Sequence, residues 1–218
     1  MSGFDVRSAG SDADLLKEAI RAQLVEINTW MPGEVVTFDS AAQTASIQLC
    51  LEREVLDEFN AIVQLDEVPL VVQSAGGFSV TFPVAAGDPC MVFFAQRGID
   101  NWYLDGGCQK QATRRHHHLS DAVFMPGLKA APDALGGYDT SNFVIRTDDG
   151  ANQFCMTPSG QFALSNGTAE LVSIVDELAQ AVASLQTTVT SGSSSGSWTH
   201  NQVAAVNSLR SRLQTLKQ

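Results

Sequence analysis

Between Met31 and Leu128 the chain is cut into short apolar runs by turns rich in Gly, Pro and Asp. That punctuation constrains the fold more than any other feature. "EVVTF" leads through "DSAAQ" into "TASIQLCL", a hairpin pattern. "IVQLDEVPLVV", "FSVTFPV", "CMVFFAQ" and "NWYL" follow, separated by "SAGG", "AAGDP" and "RGID". At least five short strands within about 90 residues predict a small closed barrel or a sandwich, and an OB-type barrel fits the count best. "CMVFFA" lacks polar alternation and predicts a strand buried on both sides.

The pattern changes after the barrel region. "NFVIRTDDG", "ANQFCMTPSG" and "QFALSNG" each predict a short strand closed by a Gly turn, with Phe143, Phe154 and Phe162 recurring once per segment. A stretch this short does not bury an apolar face alone. It is either a meander packed on the barrel or part of an assembly of several chains.

Both ends read as helical. Ser11 and Asp14 resemble a capping box, and Leu16, Ile20, Leu24 and Ile27 make one apolar face that Trp30-Met31-Pro32-Gly33 terminates. Such a face packs either on its own domain or on a neighbouring subunit. Near the C-terminus, Leu171, Val175, Leu178, Val182, Leu185 and Val189 form a heptad seam with Leu at d and Val at a, a combination that leans toward dimers. It serves either a helical hairpin within one chain or self-association. "SGSSSGS" (191–197) reads as a flexible linker. A second helix then begins at a Thr199–Gln202 capping box stapled by Trp198 and Val203, with Val206, Leu209, Leu213 and Leu216 as its stripe. The expected organisation is a docking helix over 1–30, an OB-fold domain over 31–128, a linker and short spike segment over 129–167, and C-terminal helices over 168–218.

Charge and motif content narrow the function. A net charge of -11 repels phosphate backbones, so no nucleic-acid partner is expected. The four cysteines form no CxxC, and the first residues lack the apolar core of a secretion signal, which predicts free thiols and synthesis in a reducing cytoplasm. No apolar run approaches the ~20 residues of a membrane helix. P-loop, dinucleotide and zinc-helix patterns are missing, so no enzyme and no cofactor is expected.

"RRHHHLSDAVFMPG" (114–127) is the one cluster with chemistry to consider. His116 and His118 share a strand face and are the only metal candidates, weak ones, because two ligands do not complete a site and Arg114-Arg115 repel a cation. His118, Ser120 and Asp121 lie too close along a strand to converge as a triad. Glu52, Glu54, Asp57 and Glu58 read as a solvated loop, not as a glycosidase pair.

Taken together, "MPGEVVTFDSAAQTASIQ", "GGFSVTFPVAAGDPCMVFFAQRGIDNWYLDGG" and "RRHHHLSDAVFMPGL" resemble the membrane-puncturing spike proteins of contractile-tailed bacteriophages, short baseplate spikes with an N-terminal OB domain. The resemblance covers roughly residues 31 to 128. It implies a homotrimer whose three OB domains form a collar on the tail tube. A short intertwined triple-stranded β-helix would point away from that collar. It also implies tail hub and tube proteins as partners, transient contact with the host outer membrane, a virion location, and mechanical piercing driven by sheath contraction. In that arrangement Phe143, Phe154, Phe162, Leu171, Val175, Leu178, Val182, Leu185 and Val189 line the trimer interface, and the R/H-LSDA-PG stretch closes the OB domain. After residue 167 the chain departs from the family, whose spikes continue as β-helix and in some members end in a histidine-held iron. Here His200 is the only histidine beyond 118, so the helices form a trimeric bundle that replaces the point or holds a separate tip protein. The alternative is an OB-fold module that binds glycan or cell wall.

Overall fold

Turn chemistry sets the first hairpin of the barrel. The Asp39 carboxylate accepts from the backbone N–H groups of Ala41 and Ala42 at 2.8 and 3.1 Å, and Gln43 takes a left-handed φ of 56°. The chain therefore folds back on itself. The computed structural model describes residues 12–25, 27–55, 58–189, 192, 196–199 and 203–214, in two units, 1–131 and 132–218.

The first unit opens with α1 (Asp12–Val25). Its strands are β1 (Trp30–Asp39), β2 (Thr44–Leu49), β3 (Glu52–Val55), β4 (Glu58–Ala61), β5 (Leu65–Pro69), β6 (Gln73–Ala75), β7 (Phe78–Val80), β8 (Pro89–Phe94) and β9 (Ala122–Pro126), with the short helix α2 (Asp100–Asp105) between the last two. Five strands form one antiparallel sheet in the order β5-β2-β1-β8-β9. The sheet curls until its two edges approach. Leu70 bridges Phe124 in parallel, and the Val71 N–H donates to the Phe124 carbonyl at 2.8 Å. A three-strand meander, a strand returning beside β1 and a last strand meeting the far edge make an OB-like half-barrel.

Val35, Ala45, Ile47, Leu49, Val68, Cys90, Val92, Phe94, Ala122 and Phe124 fill its interior. Phe38 meets Phe124 edge-on at 6.5 Å. The expectation that "CMVFFA" is buried on both sides is corrected: Cys90, Val92 and Phe94 are buried, whereas Met91 and Phe93 on the other face are only half-buried. Burial pushes the Cys90 thiol up to about 12, so it packs as a small apolar group. All four cysteines are free thiols.

Other expectations change as well. "NWYL" lies in α2, not in a strand, with the Tyr103 and Gly106 N–H groups donating back to the Ile99 and Trp102 carbonyls. The acidic stretch after β2 is the β3–β4 hairpin, with Glu52 and Glu54 exposed, and Asp57 lies outside the described residues. "FSVTFPV" contributes only β7, which pairs with β6 across Gly76-Gly77 as a separate hairpin. Helix α1 ends before Ile27, and Trp30 already belongs to β1. Ser11 lies outside the described residues.

In the second unit, β10 (Phe143–Arg146), β11 (Gln153–Met156) and β12 (Phe162–Ser165) form an antiparallel meander. Both of its hairpins use the same Thr-x-x-Gly turn. The Thr147 and Thr157 hydroxyls each accept a backbone N–H at 3.1 Å, from Asn152 and Gln161, and the Gly150 and Gly160 N–H groups return to the Thr147 and Thr157 carbonyls. Gly150 (φ 71°) and Gly160 (φ 83°) supply the left-handed geometry, which explains the ten-residue repeat. Glu170 then caps α3 (Leu171–Ser184), accepting from the Val172 and Ser173 N–H groups.

The continuous helix expected to reach Val189 is corrected. It ends at Ser184, Leu185 is its C-cap, and Val189 lies in β13 (Gln186–Val189), which pairs with β14 (Gly196–Thr199). Three of the four β13 residues are β-branched and favour strand, and the end of the expected linker is β14. The last helix, α4 (Val203–Gln214), packs on α3. The Thr199–Gln202 cap and Leu216 fall partly or wholly outside the described residues. Among the described residues no helix is long and apolar enough to cross a membrane.

Gly33 is the tightest point of the barrel wall. A Cβ there would lie 2.8 Å from Ile47 Cγ2, 3.1 Å from Val92 Cγ2 and 3.3 Å from Cys90 Sγ. Gly33→Ala is expected to lower stability by about 1–3 kcal/mol through overpacking, read as a lower urea midpoint at unchanged slope.

Candidate functional site

The histidine- and arginine-bearing stretch folds around one carboxylate. Asp121 ends a 3-10 turn (Leu119–Asp121) just before β9 and has no solvent exposure. A buried carboxylate must be paired and hydrogen-bonded to remain charged. Arg115 answers it from six residues upstream, with Nε donating to Oδ2 at 2.9 Å and Nη2 to Oδ1 at 2.8 Å. The Ile99 N–H donates to the same Oδ1 at 3.1 Å. Arg115 Nη2 also reaches both Asp100 carboxylate oxygens at 2.7 and 2.9 Å. One guanidinium thus ties α2, the 3-10 turn and the loop between them. Its proximity, above all, holds the Asp121 carboxyl below the usual carboxylate range.

The three histidines are engaged separately. His117 sits at φ 48°, uncommon for a residue with a side chain, and is held there by Asn28. The Asn28 amide donates to the His117 carbonyl at 2.8 Å, and His117 Nδ1 lies 3.0 Å from the Asn28 carbonyl, so Nδ1 carries a proton. His118 Nδ1 accepts from the Ser120 N–H at 3.1 Å and caps the 3-10 turn. His116 Nε2 lies 3.1 Å from Arg97 Nη1, a cation beside the ring. His116 and His118, the two metal candidates, therefore each have one ring nitrogen committed to the protein. Among the described residues no three His, Cys, Asp or Glu side chains gather as a metal site. His118, Ser120 and Asp121 do not align as a triad, because the Asp121 carboxylate faces Arg115 and the His118 partner is the backbone of Ser120. The stretch is a structural lock. Asp100 and Asn28 were not singled out from the sequence, since their partners lie 15 and 89 residues away.

The chemistry of the second unit lies in its apolar faces. Pairing places Phe143, Met156 and Phe162 in one row and Ile145, Phe154 and Leu164 in the next, all on one side of the sheet. The Phe154 and Phe162 rings lie tilted against each other, centroids 6.3 Å apart. The opposite side is closed, with Cys155 and Ala163 buried, but this side is open: Phe143 is 56% exposed, Ile145 60% and Leu164 53%. The expected interface residues Phe143, Phe154 and Phe162 are thus gathered together with three that the Phe spacing alone did not show. Along α3, Leu171, Val175, Leu178 and Val182 are exposed, as is Leu185 beyond its end. Helix α4 takes a different side, where Asp176 is buried against Arg210 at 2.6 Å. Helix α1 likewise leaves Leu16, Ile20 and Leu24 exposed.

In the first unit an open cleft runs between the β1–β2–β5 side and α2, with Asp39, Ser46, Asp66, Tyr103 and His118 in its wall. It offers hydrogen-bonding groups and one aromatic face.

Residues 31–127 match the family described as phage protein Gp138 N-terminal domain. The match begins one residue into β1 and ends one residue after β9, so it spans the OB-like half-barrel and its lock. This part of the chain is similar to a phage protein domain. No curated protein matches the chain.

Because the folded pKa of Asp121 is depressed, its stabilising contribution is present above the unfolded value near 4 and is lost as pH falls through the folded one. Asp121→Asn is expected to cost about 3 kcal/mol at pH 7. The gap from wild type should narrow in urea titrations taken at successively lower pH below about 4. A gap independent of pH would mean that the carboxylate charge is not what Arg115 holds.

Proposed function

We propose that the protein is a structural component of a phage virion: the trimeric central spike or hub-spike of a contractile-tail baseplate. In this reading three OB-like barrels cap the end of the tail tube beside hub and tube proteins. The assembly helps to pierce the host outer membrane when the sheath contracts. Contraction supplies the work and the protein supplies stiffness, so no catalysis and no cofactor enters. The observation that carries the reading is the open sheet face of Phe143, Ile145, Phe154, Met156, Phe162 and Leu164, set downstream of a phage protein domain. An apolar sheet face with nothing on it is stable in water only when another surface covers it. Three copies around one axis cover all three faces and pair the open strand edges as well.

The cleft with Tyr103, Asp39 and Asp66 favours a second reading, in which the barrel binds glycan or cell wall. Saturable binding of a cell-wall glycan by the full chain, abolished by Tyr103→Ala, would carry that reading instead.

Light scattering after gel filtration tests the spike. Three chains of 23.3 kDa give 69.9 kDa, the mass expected at low micromolar concentration. Gold-labelled antibodies to the chain should decorate the tail end of the virion. A stable monomer, or label confined to the head, would overturn the proposal.

A further inference from the structure

Helix α3 has two faces, and among the described residues only one is covered. Val172, Asp176, Ala179 and Ala183 lie on the side that α4 covers, where Asp176 receives Arg210 Nε at 2.6 Å and Gln180 receives Arg210 Nη2 at 3.2 Å. About a third of a turn away runs the second face, Leu171, Ile174, Val175, Leu178, Ala181, Val182 and Leu185, all of it exposed. With Leu171, Leu178 and Leu185 at d and Val175 and Val182 at a, Ile174 and Ala181 fall at g. A strict a/d stripe is the narrow seam of a two-stranded coil, whereas apolar residues at a, d and g make the wider face of a helix buried in a bundle. The stripe contains no charge. Of the two acidic residues on α3, Asp176 is neutralised by Arg210 and Glu177 points to solvent. Copies of an acidic protein therefore meet here without opposing charges.

We propose that this stripe packs on the same stripe of two further copies, so that three α3 helices form a central core and each α4 lies outside on its own α3. The result is a six-helix bundle downstream of the meander. The occupant is a further copy of this chain because of area. The stripe and the open sheet face of the same unit together expose roughly 1,000 Å² of apolar side chain, above the few hundred Å² that monomers tolerate and above the ~800 Å² per partner of a standard interface. The Asp176–Arg210 pair sets the arrangement: it fixes α4 on one side of α3 and keeps the stripe clear. This inference rests on the trimeric reading above and adds to it the element that holds the trimer at its C-terminal end.

The test compares full-length wild type, Leu178→Lys and Glu177→Lys by light scattering across a dilution series. Leu178 is 62% exposed in one chain, so the lysine keeps most of its surface in water, and unchanged far-UV circular dichroism at high dilution checks that the fold is kept. Glu177→Lys changes charge one residue away, off the stripe. Leu178→Lys is expected to raise the concentration at which the trimer half-dissociates by about tenfold or more, and Glu177→Lys to leave it within about twofold. A wild-type trimer that Leu178→Lys leaves as stable as Glu177→Lys does would overturn the bundle and leave the trimer to the sheet faces. A wild-type monomer would overturn both readings and assign the stripe to a different protein. A wild-type dimer would make α3 a two-stranded coil and overturn the three-helix core.

Discussion

A carboxylate without solvent exposure is the constraint around which the first unit is arranged. Water no longer hydrates Asp121, so its charge persists only if the protein replaces that hydration. Arg115 and the Ile99 N–H do so, and each reply restricts a piece of chain. Gly98, where a Cβ would meet Thr113 Oγ1 at 2.9 Å, lets the backbone pass close to the carboxylate. Asp100 shares the guanidinium and thereby fixes where α2 begins. The turn that carries Asp121 then delivers Ala122 and Phe124 into the barrel, and Phe124 meets the far edge at Leu70. The closure of the sheet follows from how one ion pair positions its last strand.

That arrangement accounts for how a conspicuous His/Arg cluster is held in shape. Here Arg97, Asn28 and Ser120 each take one nitrogen from a different histidine. The residues look grouped because they are consecutive, but the left-handed bend at His117 sends neighbouring side chains to different partners.

Legibility in the sequence followed the range of the interaction that decides each element. The barrel strands and the two Thr-x-x-Gly hairpins were readable because turn residues act within about five positions, as Asp39 does on Ala41 and Thr147 does on Asn152. Helix α2 was not, since Asn-Trp-Tyr-Leu is strand-like by propensity and its helix starts at an aspartate held by Arg115. The end of α3 was missed because the heptad spacing runs on to Val189, while the chain after Leu185 finds a strand partner at Gly196–Thr199. The lock was visible as a motif, yet which aspartate meets which arginine depends on the fold. The open apolar sheet face was partly legible from the Phe spacing. Ile145, Met156 and Leu164 emerge only once strand register is known.

The two units divide their stabilisation differently. The barrel closes on itself and buries a ten-residue core, so its stability is largely internal. The meander has one closed face, Cys155 and Ala163, and one open face, and α3 repeats that division with Asp176 inward and Leu178 outward. A polar pair is a weak source of stability but a strong source of orientation, because Asp176 and Arg210 tolerate only one way of seating α4. The ion pair inside the hairpin seats α4 on one side of α3 and leaves the hydrophobic stripe on the other side exposed.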